Sequence, residues 1–182
     1  MHHAAEGSHL DTVRFLVEVG ANKDQPTTDY GATPMHFATE MGHLEIVRCL
    51  VEAGANKDQS TTDHGVTPTH FAAEMGHLDV VRFLVEVGAS KDQPRIDNGA
   101  TPLHIAVAHG RLDIVRLLLK FGALKNQAAH NGLPPLQIAA QDGHLAIVQS
   151  LLESGVDGDT AIENLANAME LASQSGQWEI SS

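Results

Sequence analysis

Twelve histidines, two similarly placed glutamates and one thiol are the groups of this 182-residue chain best suited to chemistry. Imidazole ligates zinc and moves protons near neutral pH. Two carboxylates held apart can hydrolyse a glycosidic bond, and a thiolate such as that of Cys49 is a nucleophile. These groups are not scattered. His36, His70 and His104 close three copies of one tetrad, Thr33-Pro34-Met35-His36, Thr67-Pro68-Thr69-His70 and Thr101-Pro102-Leu103-His104, at a period of 34 residues. His43, His77 and His144 belong to a second motif: Gly42-His43-Leu44-Glu45-Ile46-Val47-Arg48 recurs from Gly76, from Gly110 (with Arg111 in the histidine place) and from Gly143. Glu40 and Glu74 are also 34 apart. The chemistry therefore has to be read through the period.

That period argues against catalysis and against a metal centre. Equivalent residues of stacked units stand about 10 Å apart, a helix-packing distance, whereas both ligands of one zinc lie within about 2.1 Å of it. The six repeating histidines are frame residues on this reading, and only His2 and His3 could take up a metal adventitiously. Carboxylates about 10 Å apart slightly exceed even the separation in an inverting glycosidase, and stacked thin units offer no enclosed pocket to raise one pKa. No Gly-rich phosphate loop, CxxC pair or HExxH helix is present, nor any nucleophile with a base and an orienting partner. No catalytic residue, metal or cofactor is expected. Cys49 aligns with Phe15, Phe83 and Leu117, which predicts a buried packing role.

The elements that carry these residues follow from local chemistry. Thr33, Thr67 and Thr101 are placed to cap a helix whose first residue is a proline, where no amide partner is lost. Helices are thus predicted to begin at Pro34, Pro68 and Pro102, and at Pro135 without the capping threonine. Gly42, Gly76, Gly110 and Gly143 end them. In the second helix Leu44, Val47, Leu50 and Val51, and equally Leu78, Val81, Leu84 and Val85, make one apolar face. Arg48 with Glu52 and Arg82 with Glu86 are spaced for surface ion pairs. Ala4, Ala38, Ala72, Ala106, Ala139 and Ala172 hold one place in six units, marking a close approach of neighbouring first helices. Gly20, Gly54, Gly88, Gly122 and Gly155 close the second helices, and polar loops with an Asp-x-Gly end follow. Thr69 stands where Met35, Leu103 and Leu136 put an apolar side chain, so if buried its hydroxyl needs a partner, and Thr69→Leu should stabilise.

These residues resemble the ankyrin repeat, with its T-P-L-H helix start, G-H-L turn and G-A-x loop, over most of the chain. The resemblance implies an all-α solenoid of stacked helix-turn-helix units with projecting loop or hairpin fingers, a tetrad histidine that hydrogen-bonds locally, and a non-enzymatic scaffold that binds other proteins. The first three loops are one residue longer than the family's period of about 33, and the fourth has the usual length. Residues 1–20 read as a partial N-terminal repeat that starts inside a first helix, as if cut from a longer array. Residues 21–155 read as four repeats, and 156–182 as a partial C-terminal capping unit that includes Ala172 and Trp178-Glu179-Ile180. Both ends are expected to fray, before Gly20 and after Gly158.

Carried over from the ankyrin pattern, finger tips and first-helix ends face the groove that meets a partner. They are Asp29, Tyr30, Glu40 and Met41; Asp63, His64, Glu74 and Met75; Asp97, Asn98, Ala108 and His109; and His130, Asn131, Gln141 and Asp142. The early repeats present acid beside methionine. Either these residues bind a basic segment with apolar anchors across the first two complete repeats, or the acids only keep a long array soluble. A net charge of −12, from 11 basic and 23 acidic residues, argues against nucleic acid as a partner. Two rival readings are a regulatory or substrate-presenting segment of a larger enzyme and an acidic decoy for a nucleic-acid-binding protein. One cysteine, no apolar run long enough for a membrane span and no signal sequence point to a soluble cytoplasmic chain, expected to be monomeric.

Overall fold

A computed structural model describes residues 1–155, which form ten α-helices and no strand. The helices are α1 (His2–Glu6), α2 (Leu10–Glu18), α3 (Pro34–Glu40), α4 (Leu44–Glu52), α5 (Pro68–Met75), α6 (Leu78–Glu86), α7 (Pro102–Ala108), α8 (Leu112–Lys120), α9 (Pro135–Gln141) and α10 (Leu145–Glu153). The four prolines stand at the four predicted helix starts. Ala172, Trp178 and the remainder of 156–182 lie outside the described residues.

Each odd-numbered helix packs on the even-numbered one that follows it, and the two series stack separately: α1, α3, α5, α7, α9 in one row and α2, α4, α6, α8, α10 in the other. The alanine series runs through the first row, where Ala38, Ala72, Ala106 and Ala139 are wholly inaccessible and Ala4 nearly so. A larger side chain there would force adjacent helices apart. The core face of the second row is wider than its leucines and valines alone. Ile46, Val80, Ile114 and Ile147, two residues after each leading leucine, are buried, while those leucines are only partly covered or, in Leu145, exposed.

The tetrads close their helix starts by a reciprocal capping box. In α3 the Thr33 amide donates to Nδ1 of His36 at 3.0 Å, so Nδ1 is unprotonated and the proton sits on Nε2. That nitrogen donates to the Val66 carbonyl in the next finger, 3.1 Å away. His70 repeats the arrangement with Thr67 and with the Ala100 carbonyl. His104 caps Thr101 in the same way, but its buried Nε2 finds no acceptor in hydrogen-bonding geometry. Burial pushes the His104 ring below the usual imidazole range, opposed by the backbone of Gln127 and of Leu133 in the fourth finger.

The fingers form hairpin-like turns and pair with one another. The Thr27 amide donates to Ala32 O, and Thr61, Arg95 and Ala129 likewise to Val66, Ala100 and Leu133. Between fingers Thr62 N donates to Tyr30 O, Ile96 N to His64 O and His130 N to Asn98 O, at 2.8–2.9 Å. A carboxylate ladder ties the loop bases together, with Asp24, Asp58 and Asp92 accepting the amides of Asn56, Ser90 and Leu124 in the next unit.

Several expectations are corrected. Arg48 does not pair with Glu52: it lies 3.7 Å from Glu45 and its guanidinium stacks over the Phe83 ring at 4.4 Å, where it shields apolar surface as well as charge. Among the described residues Arg82 and Glu86 make no ion pair. The Cys49 column is graded rather than uniformly buried, from Phe15 at 61% exposure through a half-buried Cys49 to Phe83 at 9% and Leu117 at 5%, with the Arg48 guanidinium of the preceding unit stacked over Phe83. Burial pushes the Cys49 thiol up, with Arg14 opposing. Thr69 is fully buried and its hydroxyl has no partner, as its place in the apolar column suggested.

Candidate functional site

The ends of α1, α3 and α5 bring Glu6, Glu40 and Glu74 into one acidic row. Each precedes the turn that leads to its second helix, and the turns are locked across units. His77 Nε2 donates to the Glu40 carbonyl at 2.8 Å, His43 to that of Glu6, and Arg111 Nε to that of Glu74. Gly42 serves this approach twice. Its φ of +72° suits glycine, and a Cβ there would sit 2.6 Å from Nδ1 of His77.

Burial raises the Glu40 carboxyl above the usual range, and Glu6 and Glu74 on either side raise it further. Among the described residues no basic group pairs with Glu40, whereas Glu74 has His109 Nε2 at 3.8 Å and Glu6 has His3 at 3.5 Å. Met41 and Met75, the next residues along, expose 45% and 41% of their surface.

Tyr30 belongs to the same surface. Burial raises its hydroxyl pKa, followed by the negative charges of Asp29, Glu40, Glu6 and Asp63, so the first finger and the helix ends share one electrostatic environment. Asp29 is held low by the Thr27 hydroxyl and the Tyr30 amide, and Asp63 by the Thr61 hydroxyl and the His64 amide. Both stay ionised. The second and third fingers are less free than their composition implied. His64 spans Asp97 at 3.3 Å and Asp63 at 3.6 Å, and Arg95 grips Asp97 through two nitrogens at 3.1 and 2.7 Å. Burial pushes Asp97 up, but Arg95 outweighs it and the carboxyl is held below its ordinary value. Asn98 turns inward to the Ala100 amide, and His109 Nδ1 bonds the Ile105 carbonyl.

The family model described as Ankyrin repeats (3 copies) matches residues 1–61, 54–129 and 88–162. This chain belongs to the ankyrin-repeat family. The histidines of this ankyrin array are its struts: those of the tetrads are buried, and His43 and His77 hold adjacent turns together. Ankyrin repeats are in general protein-protein interaction modules, and the family is typically non-enzymatic. No curated protein matches the chain at a significant level. No helix among the described residues is long and apolar enough to cross a membrane.

Two members of the ankyrin surface were missed in the sequence. Glu6 aligns with Glu40 and was detectable from the period alone. Arg95 replaces Thr27 and Thr61 of the earlier fingers, and that departure from the repeat was its signal.

Proposed function

We propose that this chain is a binding scaffold without catalytic activity that captures a basic protein segment carrying apolar anchors. The surface runs over Glu6, Glu40 and Glu74, the methionines Met41 and Met75, and the first finger at Asp29 and Tyr30. Asp63, His64, Asp97, Asn98 and His109 border it. The reading takes 21–155 as four repeats between partial units 1–20 and 156–182, and it takes the protein to act as a monomer.

One observation carries it: Glu40 keeps a partly buried carboxylate between two like charges, with no cation paired to it among the described residues. A carboxylate raised in this way is relieved by an incoming Lys or Arg. The adjoining methionines offer adaptable apolar contact. Exposed ion pairs act mainly on the association rate and the apolar contacts on residence time.

The test is a peptide array covering random sequence, probed with the parent chain and with the Glu40→Lys, Glu74→Lys double variant. Bound peptides should be enriched in Lys or Arg with Leu, Met or aromatic neighbours. The double variant should associate more slowly, with a weaker dependence on salt and an unchanged helical circular dichroism spectrum. Equal association rates at low ionic strength would sink the proposal and leave the acids as a solvated face.

A further inference from the structure

Two fingers carry an asparagine directly before a glycine, Asn98-Gly99 in the third and Asn131-Gly132 in the fourth, where the first two have Tyr30-Gly31 and His64-Gly65. That pair of residue types has a chemistry of its own. The glycine amide nitrogen attacks the side-chain carbonyl carbon of the asparagine and closes a succinimide ring, and with no Cβ on the glycine nothing of its own screens that nitrogen.

Both turns are built for the attack. Each asparagine is exposed and bends its side chain back over the following amide, with Oδ1 accepting from Ala100 N at 2.9 Å in Asn98 and from Leu133 N at 3.1 Å in Asn131. An amide donor on that oxygen stabilises the oxyanion that forms when the carbonyl carbon is attacked. Each glycine amide is held by a carbonyl of its own finger, Gly99 by Arg95 and Gly132 by Ala129, and must leave it before it reacts.

The turns differ in their freedom to make that move. The Asn98 carbonyl accepts the His130 amide at 2.8 Å, which pins the third turn to the fourth finger. Gly99 is buried, and the His130 ring lies so close that a Cβ would clash with it. Gly132 is exposed, and nothing lies within 4 Å of the place its Cβ would take. The Asn131 carbonyl has no amide donor among the described residues.

We infer that Asn131 is a site of spontaneous deamidation, and that Asn98, with the same sequence signal, is protected by the finger stacked on it. Hydroxide takes the Gly132 amide proton and the nitrogen bonds to Cγ of Asn131. The Cγ–Nδ2 bond breaks, and water protonates the departing nitrogen, so ammonia leaves and hydroxide is returned. One water then opens the succinimide at either carbonyl, leaving aspartate or isoaspartate at position 131. Both products add one negative charge to a chain already at −12. The isoaspartate also routes the main chain through the former side chain and lengthens it by one carbon. That shifts Leu133 away from the Ala129 amide, whose hydrogen bond to the Leu133 carbonyl closes the finger.

The test follows the full chain at neutral pH, in buffer and in urea, by peptide mapping with mass spectrometry, which reads both sites in one sample. In buffer Asn131 should convert about tenfold faster than Asn98, because the Asn98 turn must first give up the hydrogen bond from His130. In urea, where the fingers are lost, the two rates should converge. Equal rates in buffer, a faster Asn98, or a difference that persists undiminished in urea would overturn the assignment. So would an Asn131 that converts in urea yet stays intact in buffer.

Discussion

Nε2 of His70 donates a hydrogen bond to the carbonyl of Ala100, 3.1 Å away and 30 residues further along the chain. The same imidazole caps its own helix through Nδ1. One neutral side chain therefore joins a helix start to the base of the following finger, and a second proton on Nδ1 would break the cap.

This makes the array acid-labile. Burial pushes His36 and His70 from 6.5 down to about 4. Between about pH 6.5 and pH 4 the unfolded chain binds protons that the native state refuses, so their contribution is complete above about 6.5 and is lost as pH falls towards about 4. Each histidine adds up to about 1.4 kcal/mol per pH unit to that slope. The raised Glu40 opposes it by taking a proton early. His70→Gln, the residue already used at Gln137, should lower stability at neutral pH yet flatten its decline in urea titrations on acidification. An unchanged slope would mean that the ring is already hydrated.

His104 makes one hydrogen bond fewer than His70, because its Nε2 lacks an acceptor. His104→Gln should therefore destabilise by about 1 kcal/mol less than His70→Gln. Parallel urea melts of the two variants at neutral pH decide it, and equal losses would assign a partner to that nitrogen.

Thr69→Val removes a buried hydroxyl that has no partner while keeping the side-chain shape. Stability should rise by about 1–3 kcal/mol, visible as a higher melting temperature. Thr69→Leu should gain less, since the extra methylene must be housed in a packed seam. A lower melting temperature for Thr69→Val would place a water or carbonyl on that hydroxyl.

Ser8 adopts φ of +61° at the place where other units have Gly42, Gly76, Gly110 and Gly143. A non-glycine residue there is strained by about 1–2 kcal/mol, partly offset by the greater freedom glycine would have when unfolded. Ser8→Gly should slow amide exchange in α1. Faster exchange would show that the serine side chain stabilises its turn.

Tyr30 is the only tyrosine in the chain, so phenolate absorbance reports on it alone. Glu40→Gln removes one of the negative charges that raise its pKa, and its titration midpoint should move down. No movement would separate the finger from the acidic row and weaken the proposed surface.

The period, the helix starts, the turn glycines, the alanine seam and the Thr69 defect were all legible in the sequence. Each depends on a capping group, a φ angle or a volume that recurs at one place in every unit, so alignment of the chain with itself exposes it. Tertiary structure decided how one unit touches the next. The sequence held no local sign that Arg48 would leave Glu52 for the Phe83 ring, that His64 would bridge Asp63 and Asp97, or that Asp58 would hold the Ser90 amide. Nor did it tell that Glu6, Glu40 and Tyr30 would share one field. These relationships join residues up to 35 apart in the chain, as from Arg48 to Phe83, and they depend on the rotation and translation between stacked units, set by the summed packing of many side chains rather than by any residue's own preference.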